Sequence, residues 1–126
     1  MARIIIADDD EIIATIVTDA LFAAGHAVGW VKDGGSALTV INRRAPDLLI
    51  LDCNMPVKSG IVVLRELRRS TQHFGLPVLM LTGRGSGSDE EIARYEGANA
   101  YLTKPFDPLE LVDLVEELVA GRRRIA

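Results

Sequence analysis

Four short apolar runs, each ending on a polar group capable of chemistry, constrain this chain more than any other feature. Arg3 to Ala7 leads into Asp8 and Asp9, and Leu48 to Leu51 leads into Asp52. Val78 to Leu81 leads into Thr82, and Ala100 to Leu102 leads into Thr103, Lys104 and Pro105. Runs of this length suit buried strands bounded by turns. If the runs are parallel strands, their carboxyl ends bring three carboxylates, a hydroxyl and an ammonium into one crevice, the place where open α/β sheets bind ligands. Such a donor set points to a metal ion and a phosphoryl group.

Helical patterns separate the runs, and the rhythm reads as a βα unit repeated five times. Ile13, Ile16, Val17, Ala20, Leu21 and Ala24 recur at helical spacing, with Gly25 as a C-terminal cap before a strand from His26 to Val31. Asp33 caps a second helix ending near Arg44. Pro46 opens the strand that reaches Asp52, and a third helix follows Gly60 to about Ser70. Pro77 is expected as the first residue of the fourth strand, where its missing N–H does least harm. Ser88 with Glu91, and Asp107 with Glu110 around Pro108, are capping-box patterns that mark the last two helices.

A chain of 126 residues, 48% hydrophobic and 25% charged, is expected to form one globular domain with a proper core. The net charge of -4 gives no electrostatic footprint for nucleic acid or an anionic membrane. Arg122, Arg123 and Arg124 form the one basic cluster and read as a short tail, 122–126, after a domain at 1–121. A single cysteine, Cys53, rules out an internal disulfide and fits a reducing cytoplasm. The apolar runs are too short and too interrupted by charge to span a membrane.

Asp8, Asp9 and Asp52 held together repel one another, which raises at least one pKa unless a divalent cation joins them. Magnesium suits the set because it takes hard oxygen ligands, commonly one or two carboxylates plus a phosphate. Simpler readings exist for individual residues. Asp10 is expected as the cap of the first helix, Cys53 as a small hydrophobe, and His26 and His73 as ordinary surface residues. Helix-spaced Leu111, Val112, Leu114, Val115, Leu118 and Val119 make a wide apolar arc, fitting either a deeply seated helix or a partner surface. Trp30 receives no role.

Taken in order, Asp8-Asp9 after the first strand, Asp52 before x-x-Met-Pro-x-x-x-Gly, Thr82-Gly83, and Gly97-Ala98 leading to Tyr101-Leu102-Thr103-Lys104-Pro105-Phe106 form a connected set. Over essentially its whole length the chain resembles the receiver domain of bacterial two-component response regulators, the chemotaxis receiver being the compact form. The resemblance implies a flavodoxin-like doubly wound (βα)5 fold with a five-stranded parallel sheet in the order 2-1-3-4-5. It implies that Mg2+ is held by Asp9 and Asp52, by Asp8 through water, and by the backbone carbonyl of Asn54. Asp52 would take a phosphoryl group from a phosphohistidine on a sensor histidine kinase or histidine phosphotransfer protein. Lys104 and Thr82 would each engage a phosphoryl oxygen. Thr82 and Tyr101 would then switch the surface of the fourth helix, fifth strand and fifth helix.

The implied protein is a cytoplasmic signalling switch more than a turnover enzyme. It would act on a downstream protein or an output domain absent from this chain, without binding nucleic acid itself, and with room for a phosphorylation-dependent homodimer. Asn99-Ala100 stands where winged-helix regulators carry an acidic pair, so a charge-paired dimer is not carried over. Asn54 and Arg84 occupy positions that, in the family, tune how fast the aspartyl phosphate hydrolyses, and Lys104-Pro105 matches a bond that is cis in the family. Three competitors keep parts of the pattern. A haloacid-dehalogenase-like phosphatase would use Asp8 as nucleophile, but wants a later acidic pair where Thr103-Lys104-Pro105-Phe106 stands. A flavin module would need a first loop that welcomes phosphate, which Asp8, Asp9, Asp10 and Glu11 repel. A pseudo-receiver would bind without being phosphorylated.

Overall fold

The computed structural model describes residues 1–83 and 87–125, the side chains of 122–125 excepted. Strands and helices alternate as β1 (Arg3–Ala7), α1 (Glu11–Ala23), β2 (Ala27–Val31), α2 (Gly34–Arg43), β3 (Leu48–Asp52), α3 (Gly60–Arg69), β4 (Val78–Thr82), α4 (Gly87–Glu96), β5 (Ala100–Thr103) and α5 (Pro108–Ile125). Every strand pairing is parallel and the sheet runs β2-β1-β3-β4-β5, the expected flavodoxin-like order.

Burial explains why the inner strands read as unbroken apolar runs. All five residues of β3 and of β4 are buried, as a parallel sheet covered on both faces demands. Successive side chains point to opposite faces, so the sheet feeds two cores. Ile5, Leu49, Leu51, Val78 and Met80 meet Ala37 and Ile41 of α2 and Leu64 and Leu67 of α3. Ile4, Ile6, Ile50, Leu79 and Leu81 meet Val17 and Leu21 of α1 and Leu111 and Val115 of α5. The register pairs Ala7 with Leu51, Asp52 with Leu81, and Thr82 with Thr103. Asp8, Asp52, Thr82 and Lys104 are thereby aligned along one rim.

The helix starts follow their caps. Asp10 accepts from the N–H groups of Ile12 and Ile13 at 2.9 and 3.3 Å, Asp33 from Ser36 at 2.7 Å, and Asp107 from Leu109 at 2.9 Å. Each such cap contributes about 1 kcal/mol. Gly25, at φ +93°, supplies the left-handed residue after α1. Boundaries shift slightly elsewhere. β2 starts at Ala27 and β4 at Val78, the Pro77 carbonyl accepting from Leu49 N–H at 3.0 Å just before the strand. α4 begins at Gly87, which places Ser88 inside its first turn instead of at the cap. α5 runs unbroken past Gly121.

Both histidines depart from the surface position expected of them. His26 and His73 are buried, with relative exposures of 7% and 8%. His26 Nδ1 accepts from Ala2 N–H at 3.0 Å while Nε2 lies 3.3 Å from Glu116 Oε1; His73 Nε2 lies 3.1 Å from Asn42 Oδ1. Imidazole has apolar ring area and two polar tips, so a loop position with partners at hand can bury it. Neither residue lies in a helix or strand, where periodicity would have revealed the burial. The α5 arc is divided: Leu111, Val115 and Val119 are buried, Val112, Leu114 and Leu118 partly so, and Leu109 is exposed.

Candidate functional site

The rim at the carboxyl ends of β1, β3, β4 and β5 gathers the residues singled out from the sequence. Carboxylate oxygens of Asp8, Asp9 and Asp52 all lie within 4.8 Å of one another. Asp8 is fully buried and both its oxygens are engaged: Oδ1 accepts from Asp10 N–H at 2.9 Å and Oδ2 from Lys104 Nζ at 2.9 Å. Asp9, the next residue, is exposed. Asp52 is 6% exposed, accepts weakly from Asn54 N–H at 3.4 Å, and has Lys104 Nζ 3.4 Å from its Oδ1. One ammonium thus serves two buried carboxylates.

The electrostatics follow from that count. Burial raises the Asp52 carboxyl and the Asp8 charge raises it further, while Lys104 and the Asn54 N–H pull it down, and the balance stands at about 6. For Lys104, desolvation works against the ammonium, but the hydrogen bond to Asp8 and the charges of Asp52 and Asp8 outweigh it and hold it above its usual value. Three acids facing one cation leave uncompensated negative charge on hard oxygen atoms. A divalent cation such as magnesium fits that donor set.

Local structure holds the acids in place. The Gly60 N–H donates to Cys53 O at 2.9 Å, and a Cβ on Gly60 would collide with the carbonyl oxygen of Asp52, so only glycine lets α3 start this close to β3. Lys104 N–H donates to Thr82 O at 2.7 Å, and the Lys104-Pro105 bond is cis, as expected. Thr82 is buried with its hydroxyl 3.4 Å from that of Thr103. Cys53 is buried beside the site, its thiol pushed up to about 12 by desolvation and by the charges of Asp89 and Asp52. Tyr101 is partly buried against the α2–α3 core, under the Arg94 guanidinium 4.8 Å from the ring centroid. Asn54 is exposed, and Arg84 lies outside the described residues.

Three features were not foreseen. Trp30 donates its indole N–H to the backbone carbonyl of Asp8 at 2.7 Å. Val57, in the loop after Asp52, holds φ at +70° although β-branched and 83% exposed. Asn99 is tied into the fold, its Oδ1 accepting from Val78 N–H and from Arg68 Nη2, both at 2.9 Å. Laying the expected strand His26 to Val31 beside Arg3 to Ala7 in parallel register, Trp30 opposite Ile6, is the signal that would have placed Trp30 near the acids.

The family described as the response regulator receiver domain matches residues 4–116. The chain belongs to that family. Among its relatives are the regulatory protein VanRc of Enterococcus gallinarum, 40% identical over 90% of this chain and 48% of VanRc, and the DNA-binding dual master transcriptional regulator RpaA of Synechocystis, 41% identical over 99% of this chain and 52% of RpaA. The chain therefore spans about half the length of these relatives. A putative response regulator from Chloroflexus aurantiacus superposes with TM-score 0.91 at 36% identity, covering 94% of this chain and 98% of that one. The chemotaxis response regulator CheY4 of Vibrio cholerae superposes with TM-score 0.87 at 32% identity, covering 94% and 98%. As a receiver domain, the chain is a phosphoacceptor switch of two-component signalling. No helix among the described residues is long and apolar enough to cross a membrane.

Proposed function

We propose that Asp52 is the phosphoacceptor, taking a phosphoryl group from a phosphohistidine on a sensor histidine kinase or a histidine phosphotransfer protein. The observation that carries this reading is the pairing of a nearly buried Asp52 carboxylate with Lys104 and Asp8 at the end of the central strand β3. An Asp52 oxygen forms the bond to phosphorus as the bond to the imidazole nitrogen breaks, and the imidazole keeps the electron pair. Phosphoryl transfer needs positioning and charge stabilisation above all. Lys104 supplies a mobile point charge, already 3.4 Å from Asp52 Oδ1, and Thr82 a hydroxyl from the adjacent strand.

Asp9, Asp52 and the Asn54 carbonyl would hold Mg2+, with Asp8 acting through water. When bound, the ion supplies charge neutralisation for the phosphoryl oxygens and relief of carboxylate repulsion. Asp8 is poorly suited to be a nucleophile in the phosphatase sense, since both its oxygens are hydrogen-bonded and no part of it is exposed. Phosphorylation would draw Thr82 toward the phosphoryl group and Tyr101 inward, altering the α4–β5–α5 surface read by a downstream protein or by an output domain in the same polypeptide. The domain turns over nothing beyond its own phosphorylation and dephosphorylation. With net charge -4 it makes no direct nucleic acid contact.

Intact-protein mass spectrometry after incubation with a small phosphodonor tests this. One phosphoryl adduct is expected, present with magnesium, absent with chelator, and absent in Asp52→Asn. No adduct in any folded sample would establish a pseudo-receiver; an adduct that survives Asp52→Asn and needs Asp8 would move the nucleophile to β1.

A further inference from the structure

Asp8 is the first residue beyond the β1–β2 ladder, whose last pair is Ala7 with Val31. Its N–H still donates to Val31 O at 3.1 Å. β2 ends there, so no strand amide is assigned to the Asp8 carbonyl, and the Trp30 indole N–H takes that place at 2.7 Å. β2 thus holds both peptides that flank Asp8, the Ala7–Asp8 peptide through the Asp8 N–H and the Asp8–Asp9 peptide through the Asp8 carbonyl. The next peptide is fixed by the Asp10 N–H donating to Asp8 Oδ1 at 2.9 Å, so the orientation of the Asp8–Asp9 peptide completes the setting of the backbone from which the exposed Asp9 carboxylate projects.

The ring is itself well seated. Its inner part packs against the α1–α5 core, and the Lys32 ammonium sits 5.2 Å from its centroid. A phenylalanine would fill much of the same space and leave the Asp8 carbonyl to water.

We propose that Trp30 is a positioning residue for the metal site: its indole N–H, bound to the Asp8 carbonyl, fixes the Asp8–Asp9 peptide so that the Asp9 carboxylate stays within reach of Asp52. The inference rests on the reading that these acids bind magnesium. It assigns to a side chain two strands from Asp52 the same task that hydrogen-bonded outer partners perform for metal ligands generally.

Calorimetric titration of the full chain with magnesium provides one test. In Trp30→Phe the dissociation constant is expected to rise about three- to tenfold, the loss of one good hydrogen bond. Val28→Ala, which removes packing from the same strand and core, is expected to lower stability while leaving magnesium affinity at the wild-type value. Trp30 is the only tryptophan, so the protein has one indole N–H resonance. In the wild type that resonance should move during the titration with the calorimetric midpoint, and Asp9→Asn should abolish the movement. Magnesium binding to the wild type with an unmoved indole resonance, or a folded Trp30→Phe that binds as tightly as wild type, overturns the inference alone. Failure of the wild type to bind magnesium overturns the metal reading and this inference with it. Should Trp30→Phe not fold, the wild-type resonance decides.

Discussion

Arg68 and Lys104 are both cations drawn partly out of water, at opposite ends of the sheet and in opposite circumstances. Arg68 gives its hydrogen bonds to neutral acceptors: Gly97 O at 2.9 Å, Phe74 O at 3.2 Å, Leu76 O at 2.8 Å and Asn99 Oδ1 at 2.9 Å. Desolvation lowers its pKa, and no carboxylate partners it among the described residues. The result is a tie between α3, the loop before β4 and the loop before β5, with every partner satisfied. Lys104 is shared between two buried acids while a third stands close by. One region turns a half-buried charge into rigidity; the other leaves negative charge unbalanced, ready for a cation and a phosphoryl group.

Removing each cation should therefore look different as pH changes. Lys104→Met leaves Asp8 and Asp52 without their shared partner, and at about pH 7.5 we expect a loss of roughly 3 kcal/mol, smaller at about pH 4, where the Asp52 carboxyl, raised to about 6, is protonated and no longer needs the cation. Arg68→Ala leaves carbonyls unpaired and should cost roughly 2 kcal/mol at either pH, because none of its partners titrates. Denaturant unfolding of both variants at the two pH values separates them. A pH-independent loss in Lys104→Met would erase the contrast.

Asp52→Asn should act in the opposite direction. A carboxyl raised in the folded state to about 6 from 3.8 penalises folding once ionised, so metal-free wild type loses stability as pH rises through that window. The amide removes the penalty, and we expect a gain on the order of 1–2 kcal/mol at about pH 7.5 and none below about pH 4. Saturating magnesium should close most of the gap by stabilising the wild type. A variant less stable than wild type at neutral pH would show that Lys104 already neutralises the site.

The smallest effect is expected at Val57. A β-branched residue at φ +70° is strained, and this one is too exposed to recover much through packing. Val57→Gly should raise stability by about 0.5–1 kcal/mol, less whatever the added unfolded-state freedom removes. Thermal unfolding reads this directly. An unchanged or lower midpoint would mean that the loop is not strained there.

The fold was legible because β1, β3 and β4 are unbroken apolar runs ending in polar groups, a pattern that a doubly covered parallel sheet produces and little else does. The shared rim of Asp8, Asp52, Thr82 and Lys104 followed from strand order alone. What lay beyond reach depended on contacts between distant segments. His26 and His73 are buried because Ala2, Glu116 and Asn42 lie where the rings need them, 24, 90 and 31 residues away in sequence. Arg68 reads as one more charge in an Arg-rich helix end until the loops at Phe74 and Gly97 are folded beside it. Asn99 stood out as a missing acid, whereas its amide closes the Arg68 tie and the start of β4. Trp30 had no readable phase because β2 is an edge strand whose exposure only partly alternates.

The Cys53 thiol, buried and raised to about 12, is almost wholly protonated at neutral pH and shielded from reagents. A maleimide dye or spin label should therefore ignore it. A second cysteine placed on the exposed face of α4, as in Glu91→Cys, would become the sole labelling position without any change next to the phosphoacceptor. Movement of the switch surface could then be followed by fluorescence or electron spin resonance in a protein whose core chemistry is untouched.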